Sequence, residues 1–296
     1  MNLKKVLLII NPVSGQLKAE KALPDMLELY RQHNIDVCVE KTHGRFDAKK
    51  ITMEKGAGFD AVICAGGDGT LNEVICGIID GNLDIPIGYI PSGTTNDFAS
   101  SIGIPGEVRE AVLTTINGTP SPFDIGKFGD RYFTYIASFG AFTETSYATP
   151  QKMKNKIGHA AYILGCVKDL FANRHYRVRV TADGHSYEDS YMFGAVCNTY
   201  SIGGVFNLDP KEVDMSDGIY EIVIAKKAGN PFTVLKRVID FNNHRYPSDT
   251  IKCFKAKNVR FECESGLDWS LDGEHAHGDS DITVYNLYRR INLIRK

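Results

Sequence analysis

"DAVICAGGDGTLNEVICGII", residues 60–79, strings together three kinds of sequence. The run from Asp60 to Ala65 is short and apolar, with the length and composition of a buried strand. Gly66, Gly67 and Gly69 then surround an acid, Asp68. Leu71, Val74, Ile75, Ile78 and Ile79 follow at i, i+3, i+4, i+7 and i+8, the spacing of one helical face. A strand, a glycine loop and a helix in that order predict one unit of a parallel α/β layer, with the loop at the carboxyl end of the strand.

The same rhythm extends on both sides. Val6 to Ile10 reads as a first buried strand, because its apolar stretch is cut off by Asn11-Pro12 too early for a signal peptide. Ala22, Leu23, Met26, Leu27 and Tyr30 have helical spacing, and Pro24 among them places the helix start nearby. Residues 36–42 and 85–91 read as strands, 47–55 and 106–118 as helices. Residues 1–121 are therefore expected to form an α/β domain with a parallel sheet. From about residue 122 the texture changes to "HYRVRVTADG" (175–184), "SYMFGAVCN" (190–198), "GIYEIVIAK" (218–226) and "NVRFECE" (258–264). Together with helices at 157–171 and 231–241, these predict a mainly antiparallel β domain over 122–285. The strand-like tail 286–296 is expected to pack back on the first domain.

Composition narrows the classes. The chain has 296 residues, 43% hydrophobic and 24% charged, with a formal net charge of −2. It lacks the basic excess of a nucleic-acid binder, so no nucleic acid is expected as a partner. Seven cysteines, Cys38, Cys64, Cys76, Cys166, Cys197, Cys253 and Cys263, show no CxxC spacing and read as reduced thiols in the cytoplasm. No apolar run approaches the roughly 20 residues needed to span a bilayer, so any lipid chemistry is expected from the water side.

Three glycine-containing loops fall just after predicted strands of the first domain: "NPVSG" (11–15), "GGDGT" (66–70) and "PSGTTND" (91–97). Carboxyl-end loops of a parallel sheet are where ligands bind. Glycines bring backbone amides close to a phosphate, and the next helix offers its amino end, with Thr70 placed to cap it. Each loop alone also reads as an ordinary turn, and it is the three together that predict a nucleotide site. None matches GxxxxGK[ST] or GxGxxG. A site without the P-loop lysine can use amide donors and a metal ion, and magnesium takes oxygen ligands. Asp68, at the loop tip, either holds that metal or is a turn residue bonded to its own backbone.

Two stretches of the second domain carry acids. "WSLDGEHAHG" (269–278) sets the only tryptophan, two acids and two histidines in a turn between strands. Glu274 there suits a general base for a hydroxyl nucleophile, and Asp272-Gly273 is equally an ordinary hairpin signal. His275 and His277 read as solvated loop histidines. The run Asp209 to Asp217 lacks EF-hand spacing and reads alone as a solvated loop.

"NPVSG", "GGDGTLNEV" and "PSGTTNDFA", in that order, resemble the catalytic-domain signature of the diacylglycerol kinase family, most closely its soluble bacterial lipid kinases. "GGVFNLDPKEVDMSDGIYEIVI" (203–224) and "SLDGE" (270–274) extend the likeness over nearly the whole chain. The resemblance implies an α/β domain and a β-sandwich domain with ATP between them. It also implies magnesium-dependent transfer of the γ-phosphate to a lipid hydroxyl, with diacylglycerol the first choice of acceptor and phosphatidic acid the product.

Carried over by position, the nucleotide contacts are Asn11, Pro12, Val13, Ser14, Gly15, Thr42, Gly66, Gly67, Asp68, Gly69, Thr70, Leu71, Asn72 and Thr94. Asp214, Asp217 and the Ile219 carbonyl correspond to the family's magnesium site, Glu274 to its general base, and Asp68 to a second catalytic acid. The chain departs from the pattern at Phe46, where the family has a glycine before its Asp-Ala pair, and in a loop before Gly218 that is one residue longer. A NAD kinase, a sphingoid-base kinase and an inactive nucleotide-binding regulator remain as alternatives. Against the first, the Asn72-Glu73 pair belongs to the glycine motif itself; against the last, Asp68 and Glu274 are both present. A lipid acceptor implies transient peripheral contact with the inner membrane face. Lys152, Lys154, Lys156 and Lys168 mark either that contact or a solvated face. A homodimer stays open.

Overall fold

The structure is a computed structural model that describes residues 3–94, 96–140, 175–202, 206–226, 231–243, 249–264 and 266–296. The expected helix 157–171, the four lysines from Lys152 to Lys168, Cys166 and the Gly203-Gly204 pair lie outside the described residues. The chain divides into two compact units, Met1–Phe123 with Arg289–Lys296, and Asp124–Tyr288.

The first unit is built on β1 (Lys5–Ile10), β2 (Asp36–Lys41), β3 (Ala61–Gly66) and β4 (Ile87–Pro91), all parallel in the order β4-β3-β1-β2. Val6–Ile10 and Ala61–Ala65 are buried throughout, as central strands covered on both faces must be. The helices are α1 (Lys18–Gln32), α2 (Asp47–Lys55), α3 (Asp68–Asp80), the short α4 (Asp97–Ser101) and α5 (Val108–Asn117). The chain steps from β1 outward to β2, then returns past β1 to β3. Right-handed crossovers therefore set α1 and α2 on opposite faces. α1 packs with α5, where the Tyr30 hydroxyl and Thr115 Oγ1 lie 2.6 Å apart, and α2 packs with α3.

Pro24 does not mark the start of α1, which begins six residues earlier at Lys18. Its ring is on the exposed side, where water serves the carbonyl that a missing amide leaves over.

The second unit is an antiparallel β-sandwich. Its strands are β5 (Thr119–Phe128, which carries the chain in from the first unit), β6 (Arg131–Phe133), β7 (Ile136–Gly140), β8 (Tyr176–Ala182) and β9 (His185–Cys197). They continue with the short β10 (Ser201–Ile202) and β11 (Phe206–Asn207), then β12 (Tyr220–Lys226), α6 (Pro231–Asn242), β13 (Ile251–Ala256), β14 (Asn258–Glu262), β15 (Leu267–Leu271), β16 (Glu274–Gly278) and β17 (Asp281–Arg295). Long β9 joins the layers: residues 185–191 pair with β8, while 193–197 pair with both β7 and β12. Trp269 is the centre of the core, fully buried, with the rings of Phe261, Phe139 and Phe128 at 4.9, 5.0 and 5.0 Å.

That placement corrects the reading of residues 269–278 as one turn. They form two paired strands, and only Asp272-Gly273 turns, with φ of +50° and +87°. Both angles are left-handed, as a two-residue hairpin matching strand twist requires. At its far end β17 passes through left-handed Arg289 into the first unit, where Leu293 pairs in parallel with Ile87 of β4.

Candidate nucleotide and acid sites

β1 sends its chain to one side of the sheet and neighbouring β3 sends its chain to the other. Their carboxyl ends form a topological switch point, where open α/β sheets bind ligands. The loops after β1 and β3 open there, and the loop after β4 lies alongside.

The three loops are packed against one another. A Cβ added to Gly15, whose φ is +52°, would stand 1.9 Å from the Ser92 carbonyl oxygen. One added to Gly93 would stand 2.7 Å from Gly67 Cα. No side chain fits at either position, so these glycines hold the loops at backbone contact. Gly15, Gln16 and Leu17 are consecutive left-handed residues, a strained turn that carries the first loop into α1.

Polar groups complete the junction. Asn11 Nδ2 donates to Thr70 Oγ1 at 3.0 Å, joining the first loop to the second. Thr42 is buried at the end of β2, and its amide donates to the Ile10 carbonyl. The Tyr89 hydroxyl donates to Asp68 Oδ1 at 3.1 Å and has Asn96 Oδ1 at 3.5 Å. Asn96 in turn accepts from the Gly93 amide and donates to its carbonyl.

Two local expectations are corrected. Asp68 is in the first turn of α3 rather than at a loop tip, where a carboxylate is favoured by the helix dipole. Thr70 does not cap α3: the N-cap is Gly67, without a side-chain bond, and Thr70 sits within the first turn receiving Asn11.

Pro12, Val13 and Ser14 line the first loop, Gly66, Gly69, Leu71 and Asn72 the second strand end and helix start, and exposed Thr94 the third loop. Tyr89 and Glu73 were beyond sequence reasoning in these roles. Tyr89 is one apolar-pattern residue of β4, and the Glu73 carboxylate accepts from the Phe46 and Ala48 amides at 2.8 and 3.1 Å. It thus serves orphan donors at the start of α2.

Within the second unit, Glu274 opens β16 with its side chain 49% exposed. Arg131 donates to the His275 carbonyl at 2.6 Å and reaches Glu274 Oε2 at 3.5 Å. The half-buried Asp272 beside it accepts from the Thr134 amide and hydroxyl at 2.6 and 2.5 Å, and from the Tyr135 and Ile136 amides at 3.0 and 3.1 Å. Burial raises the pKa of this carboxyl, and the same four donors work against the rise.

His275 and His277 both face Asp268, at 3.1 and 3.4 Å. These hydrogen bonds hold the Asp268 carboxyl below its usual range.

Asp214, Asp217 and Ile219 occupy the loop before β12. Asp214 accepts from the Ser216 amide and hydroxyl at 2.9 Å, and Asp217 from the Ile219 amide at 2.9 Å. Asp124, fully buried, fixes the loop from behind: it accepts from the Gly218 amide at 2.6 Å, and its own amide donates to Met215. Two carboxylates and a backbone carbonyl would supply an all-oxygen donor set, the ligand chemistry magnesium takes. Among the described residues, no three side chains of His, Cys, Asp or Glu gather into a metal cluster.

Residues 5–128 match the diacylglycerol kinase catalytic domain family, and residues 138–291 the YegS C-terminal NAD kinase beta sandwich-like domain. A diacylglycerol kinase of Bacillus subtilis (strain 168) is 33% identical over 294 residues, covering 99% of this chain and 96% of the relative. One of Staphylococcus aureus (strain MRSA252) is 30% identical over 297 residues, covering 98% and 92%. A crystal structure from Bacillus anthracis str. Sterne, described as a candidate diacylglycerol kinase, superposes with a TM-score of 0.84 at 26% identity, covering 100% of this chain and 96% of that one. The chain belongs to the diacylglycerol kinase family, and it is a kinase by class.

Proposed function

We propose that the protein transfers the γ-phosphate of ATP to the hydroxyl of diacylglycerol, giving phosphatidic acid, with magnesium. The observation that carries the phosphoryl-transfer half is the junction of three glycine loops at the switch point, with α3 starting beneath it. Amides at the start of α3 bind phosphate oxygens, and Gly15 and Gly93 hold the flanking loops in backbone contact beside them. Asp68, oriented by Tyr89, would help to hold the metal.

Bound magnesium would neutralise charge on the phosphates. Asp214, Asp217 and the Ile219 carbonyl would hold a cation, which would stiffen their loop. Glu274 takes the proton from the acceptor hydroxyl. The acceptor rests on the relatives named above, which support diacylglycerol over NAD or a sphingoid base.

Labelled ATP offered with diacylglycerol, sphingosine or NAD, with and without EDTA, tests the reading. Label is expected in phosphatidic acid alone, and only with magnesium. Transfer to NAD, or to nothing, would reject it. Glu274→Gln is expected to keep ATP affinity while kcat falls roughly 100- to 10,000-fold, and near-normal turnover in that variant would remove the role. No helix among the described residues is long and apolar enough to cross a membrane. Work at a lipid surface therefore calls for peripheral contact, with flotation on anionic vesicles as its check.

A further inference from the structure

Exposed apolar side chains of the first unit are concentrated at one edge. Of its large hydrophobics, Val13, Leu17, Phe46 and Met53 are exposed, and the first three stand in the loops after β1 and β2. Phe46 is the unusual one. It is 62% exposed and left-handed, with φ +67° and ψ +4°, a conformation that is an outlier for a bulky residue.

Such strain persists only where the surroundings over-determine it. Here the Phe46 amide is fixed by Glu73 at 2.8 Å, and Glu73 belongs to α3, the helix that begins in the glycine motif. The Arg45 guanidinium stands over the ring at 5.1 Å from its centroid. The Phe46 backbone is thus fixed by the same helix whose amino end faces the phosphates, and Thr42 lies four residues before it.

We propose that Phe46 is the stacking face for the base of the bound nucleotide. The phosphates at the start of α3 leave the nucleoside to run along the carboxyl edge. On the β1 and β2 side of that edge the protein offers apolar surface and an exposed aromatic ring on a fixed backbone. A π-face suits any base, and stacking on it adds affinity without hydrogen-bond readout. A ring that served only to dip into lipid would gain nothing from a strained backbone and a fixed amide.

The inference rests on the nucleotide reading of the first unit, and the experiment separates the two. ADP and pyrophosphate are titrated calorimetrically into wild type, Phe46→Gly and Phe46→Trp. Glycine takes the left-handed angle without strain, so Phe46→Gly is expected to fold at least as stably in urea. It is expected to weaken ADP roughly 5- to 100-fold while leaving pyrophosphate unchanged. Phe46→Trp is expected to retain ADP. Equal ADP affinity in wild type and Phe46→Gly overturns the stack. So does an equal loss of ADP and pyrophosphate, or a change confined to vesicle binding. A wild type that binds neither ligand removes the nucleotide reading as well.

Discussion

The glycine edge of the first unit and the Glu274 hairpin of the second fix their polar groups in opposite ways. At the glycine edge, side chains are missing: Gly15 meets the Ser92 carbonyl and Gly93 meets Gly67 at distances that exclude a Cβ. At the hairpin, a side chain does the holding: Asp272 gathers four donors from residues 134–136. The first arrangement packs loop backbone directly against loop backbone. The second uses the amides of residues 134–136 up internally, next to an exposed Glu274 that Arg131 reaches.

The contrast is broken most severely at Asp272. Asp272→Ala leaves the Thr134, Tyr135 and Ile136 donors without their acceptor and is expected to cost about 3–4 kcal/mol in urea unfolding, with Asp272→Asn losing less. A loss below 1 kcal/mol would mean that the carboxylate does not anchor the hairpin.

Next in size is Glu221, on β12 of the same unit. It is 3% exposed, its two carboxylate oxygens make no hydrogen bond among the described residues, and the Lys255 ammonium stands 3.5 Å away. Burial pushes its pKa up to about 7, with Lys255 opposing. The folded state therefore keeps the proton after the unfolded chain has released it. The stability this group contributes is fully present below about pH 4.5 and is lost as pH rises through about 7, by up to roughly 3 kcal/mol in all. In metal-free protein, Glu221→Gln is expected to flatten this slope and to be the more stable form at pH 8. Parallel slopes for the two proteins would contradict it.

The first unit is tested at smaller scale. Gly15→Ala is expected to cost about 2 kcal/mol through overpacking against Ser92, read as a lowered Tm, and to weaken ADP binding in the same preparation. Tyr89→Phe removes one hydrogen bond to Asp68 and is expected to cost about 1 kcal/mol. If Gly15→Ala proved harmless, the loops would not be held by close backbone approach.

The same difference decides what could be read from the sequence. The parallel sheet was legible because β1, β3 and α3 each declare themselves by a local period. The glycine loops sit directly after the strands that deliver them. The β-rich class and the larger strands of the second unit were also legible, but β5 was not, since Pro120 and Pro122 argue against a strand. Nor were the partners of its acids. Asp272 finds Thr134, 138 positions away, and Asp124 finds Gly218, 94 positions away. No local period records such pairings. Trp269 appeared to be part of a polar turn because its neighbours are charged. In a strand those neighbours point the other way, and the indole is left in the core.

β17 has a consequence for biosynthesis. The first unit includes Arg289–Lys296, and Leu293 supplies its pairing beyond β4. Its amino-terminal residues leave the ribosome first, yet their sheet lacks this strand until the whole second unit has been translated, on the order of ten seconds later. Through that interval the β4 edge is an open template for a wrong partner. Residues 289–296 close it, which makes their arrival the step that commits the first unit to its fold.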